Sequence, residues 1–146
     1  MKKSILMGIF MMMVALSSFA HTGEINENIL RSFNNQFAGA QDVNWEEGKS
    51  ISKVTFRLNG QVMFAYYREQ GELVAVTRNI ISGQLPITLL ADLKKNYQDF
   101  WITDLFEISA DDNTSYYITL QSADQMLVLK SSGMQGWQMF KKIKVS

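Results

Sequence analysis

The sequence predicts an α+β protein: two tandem helix-plus-antiparallel-meander repeats that form one sheet with helices on one face. Three observations carry this expectation. Apolar residues recur twice at helical spacing, a period-two stretch follows each time, and the two halves superpose at a near-constant offset.

Ile25, Ile29, Leu30, Phe33 and Phe37 fall on one helical face. Val43 and Trp45 then alternate with polar residues, and Val54, Phe56 and Leu58 alternate with Lys53, Thr55 and Arg57. Asn59-Gly60 is a strong two-residue hairpin signal, because both central positions of a type I′ turn require positive φ. Val62 to Arg68 reads as the returning strand. Glu69-Gln70-Gly71 reads as a three-residue turn, and Glu72 to Arg78 as the strand after it.

The pattern restarts after Ile81 to Gln84, a connection too short and too apolar to be a flexible linker. Pro86 sits where a first helical turn tolerates it, and Leu85, Leu89, Leu90, Leu93 and Tyr97 form a second apolar stripe. Ile102, then Tyr116, Ile118 and Leu120, return to period two. A turn near Ala123-Asp124 leads to Met126–Lys130, and Gly133 and Gly136 precede a last strand near Trp137 to Val145. Ile29, Leu30, Phe33 and Phe37 map onto Leu89, Leu90, Leu93 and Tyr97 at a shift of sixty, and Phe56 and Leu58 onto Ile118 and Leu120 at sixty-two. The expected organisation is a first repeat over about 24–80 and a second over about 85–145, sharing one core within a single domain, 21–146.

Residues 1–20 have the form of a secretory signal: Lys2 and Lys3, an apolar stretch from Ile5 to Leu16, then small residues before a cut between Ala20 and His21. The apolar stretch falls short of the roughly 18 residues a spanning helix needs. A periplasmic or secreted location follows as an expectation. Removing the leader leaves 126 of the 146 residues, with 12 basic against 14 acidic side chains, a net charge of −2. That balance points away from nucleic acid and anionic membranes, both of which reward a basic surface. With no cysteine in the chain, an exported fold has no disulfide to hold it and depends on packing alone.

His21 is the one histidine, so serine and cysteine triads lack a base in the body of the fold. A metal or cofactor is not expected. An N-terminal imidazole at His21 would still need further ligands, and Asp111-Asp112-Asn113 lacks the alternating oxygens and glycine of a calcium loop. Glu46-Glu47 and Asp111-Asp112 sit beside turns, where solvated acids are ordinary. Lys141, Lys142 and Lys144 read as protection of a terminal strand edge. The sequence therefore describes a protein that is not an enzyme.

What remains is a sheet face. Counting outward from Asn59-Gly60 places Val54, Phe56, Leu58, Met63, Ala65, Tyr67, Leu73 and Ala75 beneath the helix. The opposite face receives Arg57, Val62, Phe64, Tyr66, Val76 and Arg78, with Tyr117, Val128 and Lys130 in comparable positions of the second repeat. Aromatic, β-branched and cationic residues together have the composition of a contact surface.

Val43-Asn44-Trp45, the Asn59-Gly60 turn, Ala65-Tyr66-Tyr67, Gly71-Glu72-Leu73, Arg78-Asn79-Ile80, and Leu85-Pro86 with Leu89, Leu93 and Tyr97 carry a likeness. Together they resemble the PepSY-like family of small exported bacterial proteins, which is similar to β-lactamase-inhibitor protein. The resemblance implies a helix packed on an antiparallel sheet in each repeat, with an exposed sheet face as the contact surface. The β-lactamase inhibitors themselves carry disulfides, whereas this chain has no cysteine, so no inhibitory residue is carried over. The expected function is a non-catalytic binding or inhibitor-like module contacting an unidentified protein or cell-envelope component. The alternative is a structural envelope protein that forms a homo-oligomer through the same face.

Overall fold

The computed structural model describes residues 24–145. The expected signal peptide and its cut before His21 lie outside the described residues. Asn26 caps the first helix, α1 (Glu27–Gln36), by accepting the Asn28 N–H at 2.8 Å on its side-chain oxygen. Four strands follow: β1 (Gln41–Glu46), β2 (Ile51–Leu58), β3 (Gln61–Arg68) and β4 (Leu73–Asn79). A 3-10 turn over Ser82–Gln84 leads to α2 (Ile87–Asn96), then β5 (Trp101–Ala110), β6 (Asn113–Gln121), β7 (Gln125–Ser131) and β8 (Gln138–Lys144).

The expected balance of helix and sheet is corrected here. Among the described residues all eight strands belong to one sheet in the order β1 to β8, accompanied by two α-helices of 10 residues each. A single sheet was expected, but a balanced pair of helix-plus-meander repeats is not what forms. One physical reason is β5, the longest strand at 10 residues, which alternation conceals because a bulge between Ile102 and Asp104 breaks its period.

The chain divides into two compact units. One comprises the described residues through Gly60 together with Phe64–Val74; the other comprises Gln61–Met63 and everything from Ala75 onward.

In the first unit α1 is amphipathic and buries Ile29 and Phe33. Phe33 meets Trp45 and Phe56 edge-on, with ring centroids 5.2 and 5.1 Å away, and Phe37 lies 4.7 Å from Phe56. Such contacts add to the area these rings already bury. Asn59 (φ 50°) and Gly60 (φ 79°) close the two-residue turn between β2 and β3. Gly71 has a second constraint besides its φ of 85°: a Cβ there would lie 2.6 Å from the Asn28 carbonyl oxygen. Ser32 donates from Oγ to the Gly71 carbonyl at 2.6 Å, and Tyr67 donates its hydroxyl to Gln36 Oε1 at 2.6 Å. The turn after β3 and the end of α1 are thereby tied together.

In the second unit Leu89 and Leu93 of α2 pack into a buried cluster with Ile80, Leu85, Leu105, Ile118, Leu120, Leu127 and Leu129. Pro86 occupies the cap position just before α2, where its missing N–H costs nothing. Trp137 donates from Nε1 to the Leu89 carbonyl at 3.1 Å, binding the segment before β8 to the helix.

Phe56 is 1 % exposed and Leu93 7 %. Truncating either to alanine is expected to cost on the order of 2–5 kcal/mol in denaturant titrations. Near-neutral values for both would contradict this assignment of core faces.

Candidate interaction surface

Strand register decides which side chains meet. In the second unit Arg78 is opposite Glu107, and Glu107 is opposite Tyr116. Phe106 is opposite Tyr117, and Tyr117 is opposite Lys130. Neighbours along a strand point to opposite faces, so Glu107 and Phe106 cannot share one. Arg78 and Val76 therefore stand on the face that α2 covers, with Leu105 and Ile118, whereas Tyr117, Val128 and Lys130 stand on the other. The expectation that Arg78 and Tyr117 share a face is corrected by this register.

On the α2 side Arg78 grips Glu107 with two bonds, Nε to Oε1 at 3.0 Å and Nη2 to Oε2 at 3.4 Å. Tyr116 beside them ionises above its ordinary range. Burial is the main cause, the Glu107 charge and hydrogen bond add to it, and Arg78 opposes it.

The other face of the second unit carries an aromatic cluster. Phe106 stacks on Tyr117 with ring planes 9° apart and centroids at 5.3 Å, and Phe140 meets Tyr117 edge-on at 5.7 Å. Lys130 Nζ lies 5.5 Å from the Tyr117 ring centre, within cation–π range. Phe140 sits at the bulge that interrupts the β7–β8 register between Val128 and Leu129. One row from this aromatic cluster, Val128 is opposite Lys141. A further row runs Trp101, Gln121, Met126 and Ile143 across four consecutive strands. Trp101 is 53 % exposed and Ile143 39 %. Asp104, opposite Thr119, brings an acid to this face; desolvation raises its carboxyl, against a backbone hydrogen bond at Leu105.

In the first unit Arg57 is exposed and ion-paired with Asp42 at 3.5 Å, and Lys53 lies 3.5 Å from Glu46 and 5.2 Å from the Phe64 ring centre. Solvent-exposed pairs like Arg57–Asp42 contribute little stability. Val62 is exposed, while Phe64, Val76, Arg78 and Lys130 are half-buried. Tyr66, Tyr117 and Val128, expected at the surface, are buried at 1 %, 0 % and 7 % exposure. Alternation tells which face a side chain is on, not whether that face is covered. Trp101 and Ile143 are the exposed members of their row, with Met126 half-buried between them, and sequence reasoning placed neither Trp101 nor Ile143 on the contact face. The Trp101 signal was an aromatic directly before Ile102, hidden by the bulge that follows.

Among the described residues no group of three or more histidine, cysteine or acidic side chains is placed to hold a metal, and no helix is long and apolar enough to cross a membrane. At the end of the strand order, β8 exposes Lys141, Lys142 and Lys144.

No family model matches the chain, and no curated protein matches it. Solved structures do. A DUF2874 family protein from Bacteroides ovatus shares 15 % identity at a TM-score of 0.71, over 84 % of this chain and 89 % of its own. A BLIP-like protein from Bacteroides fragilis shares 13 % identity at 0.70, over 84 % of this chain and 88 % of its own. The fold is BLIP-like. A third similar structure, provisionally described as a periplasmic protein and from Bacteroides eggerthii, shares 10 % identity at 0.71, over 84 % and 90 %. At these identities the likeness concerns the fold alone, and the surface of this BLIP-like sheet is read from its own residues.

Burial of Tyr66 and Tyr117 changes what their loss should do. Tyr66→Ala and Tyr117→Ala are each expected to cost about 3–5 kcal/mol in chemical denaturation, as core aromatics do. A cost below about 1 kcal/mol, typical of cross-strand pairs on an open face, would contradict this placement.

Proposed function

We propose that this chain is an exported, non-catalytic binding module of the PepSY-like and BLIP-like kind. It acts in the periplasm or outside the cell after removal of residues 1–20, and contacts a protein of the envelope through its sheet. One observation carries the reading. Trp101, Gln121, Met126 and Ile143 stand in register across β5 to β8, with Trp101 and Ile143 exposed at the two ends and Gln121 and Met126 half-buried between them. Tryptophan and methionine are enriched in contact surfaces, and contiguous exposed apolar rows usually mean contact. Lys141, in the adjacent row, borders it and favours an acidic margin on the partner. Fold likeness to a BLIP-like protein and to a protein provisionally described as periplasmic supports both the binding role and the compartment.

The module is expected to hold a discrete protein when used as bait in periplasmic extract. The Trp101→Ala, Ile143→Ala double variant should weaken that capture at least about 30-fold, the equivalent of a 2 kcal/mol anchor, while melting unchanged. Equal capture by both proteins would contradict the assignment of this row. A wild-type dimer that the double variant dissolves would instead establish the self-associating alternative.

A further inference from the structure

On the α2 side of the second unit, away from the Trp101 row, the structure leaves a cleft of about 340 Å³ between α2 and the start of β5. Its floor is Leu93 and Leu120, both buried. Leu90 and Tyr97, each one turn from Leu93 along the same helical stripe, form one wall. Phe100 and Ile102 form the other. The Tyr97 and Phe100 rings meet at 6.1 Å and 70°, each limiting how far the other can swing into the space.

The mouth is polar. Lys94 and Gln98 are exposed, and Ser82 also lines the cleft. Lys94 makes no ion pair among the described residues. Burial raises the pKa of the Tyr97 phenol, and the nearby Asp92 charge adds to the rise.

An apolar floor beneath a cation that has no ion-pair partner among the described residues selects for amphiphiles. Burying an alkyl chain on Leu93 and Leu120 gains roughly 0.8 kcal/mol per methylene, and an anionic head at the rim finds Lys94 without entering the apolar part. The volume lies near the lower end of ligand sites, about 300–1,000 Å³, which fits a small molecule. Helix-on-sheet packing does not by itself require this arrangement. Sixty residues earlier, the positions of Lys94 and Phe100 are held by Asn34 and Ala40, which offer neither the cation nor the aromatic wall.

We propose that this cleft binds a small anionic amphiphile, a medium-chain carboxylate, with its chain on Leu93 and Leu120 and its head group on Lys94. The site is separate from the sheet-face contact: Ile102 is opposite Leu120 and Trp101 opposite Gln121, so the two residues point to opposite faces. Either assignment can fail without the other.

The test is titration of decanoate and of decanol, each below its aggregation limit, into the purified chain followed by two-dimensional NMR. Decanoate should give saturable shifts centred on Leu90, Leu93, Phe100 and Leu120. Lys94→Gln should weaken decanoate on the order of tenfold, about 1.4 kcal/mol, and leave decanol unchanged. Ile102→Trp, a change at an exposed rim position, should obstruct both ligands while the protein stays folded by its melting curve. Absence of saturable shifts, shifts that map to another part of the chain, or equal loss of decanoate and decanol in Lys94→Gln would each overturn the proposal.

Discussion

Cross-strand register in the second unit is the constraint from which the rest of its description follows. Side chains alternate between faces with a period of two, so displacing one strand by a single residue would exchange every buried side chain for an exposed one. The pairs Glu107–Tyr116 and Phe106–Tyr117 fix β5 against β6, and Tyr117–Lys130 fixes β6 against β7. Without a cysteine in the chain, this register is held by what packs on each side: leucines under α2 on one, stacked aromatics on the other. Both faces carry apolar load, which makes a slip costly in either direction. The bidentate Arg78–Glu107 pair adds directionality, since it forms only when those two residues are opposite.

From the register come two surfaces with different chemistry. One face presents the Trp101–Met126–Ile143 row beside Lys141, the surface proposed above for a macromolecular partner. The other holds the cleft beside α2, narrow and apolar with Lys94 at its mouth. The bulge between Ile102 and Asp104 lies directly after the strand residues that serve both. Trp101 and Ile102 serve unlike surfaces because neighbours along a strand point to opposite faces, and the bulge after them restores Asp104 to the Trp101 side.

Much of this was legible in the sequence, for identifiable reasons. Both helices were written in apolar spacing, and Asn59-Gly60 announced its turn because few other residues accept two positive φ angles in succession. The core assignment of Phe56 and Leu93 needed nothing beyond counting from those signals. β5 was poorly legible because its bulge inserts a residue into the alternation, so only Ile102 stood out of a strand of 10 residues. Tyr66 and Tyr117 illustrate a different limit. Their face was inferred from parity, but parity carries no information about coverage, and a hydroxyl-bearing aromatic is at home in either setting. Arg78 was grouped with Tyr117 because the pairing of β4 with β5 joins residues about thirty positions apart, beyond the reach of any local pattern.

Interstrand nuclear Overhauser effects across β5 and β6 test the register most directly. The account predicts backbone contacts linking Glu107 with Tyr116 and Phe106 with Tyr117, continuing to Lys130 on β7. Contacts linking Glu107 with Tyr117 and Phe106 with Ile118 would mean a one-residue slip; Tyr117 would then share a face with Glu107, and the division into a contact surface and a cleft would not stand.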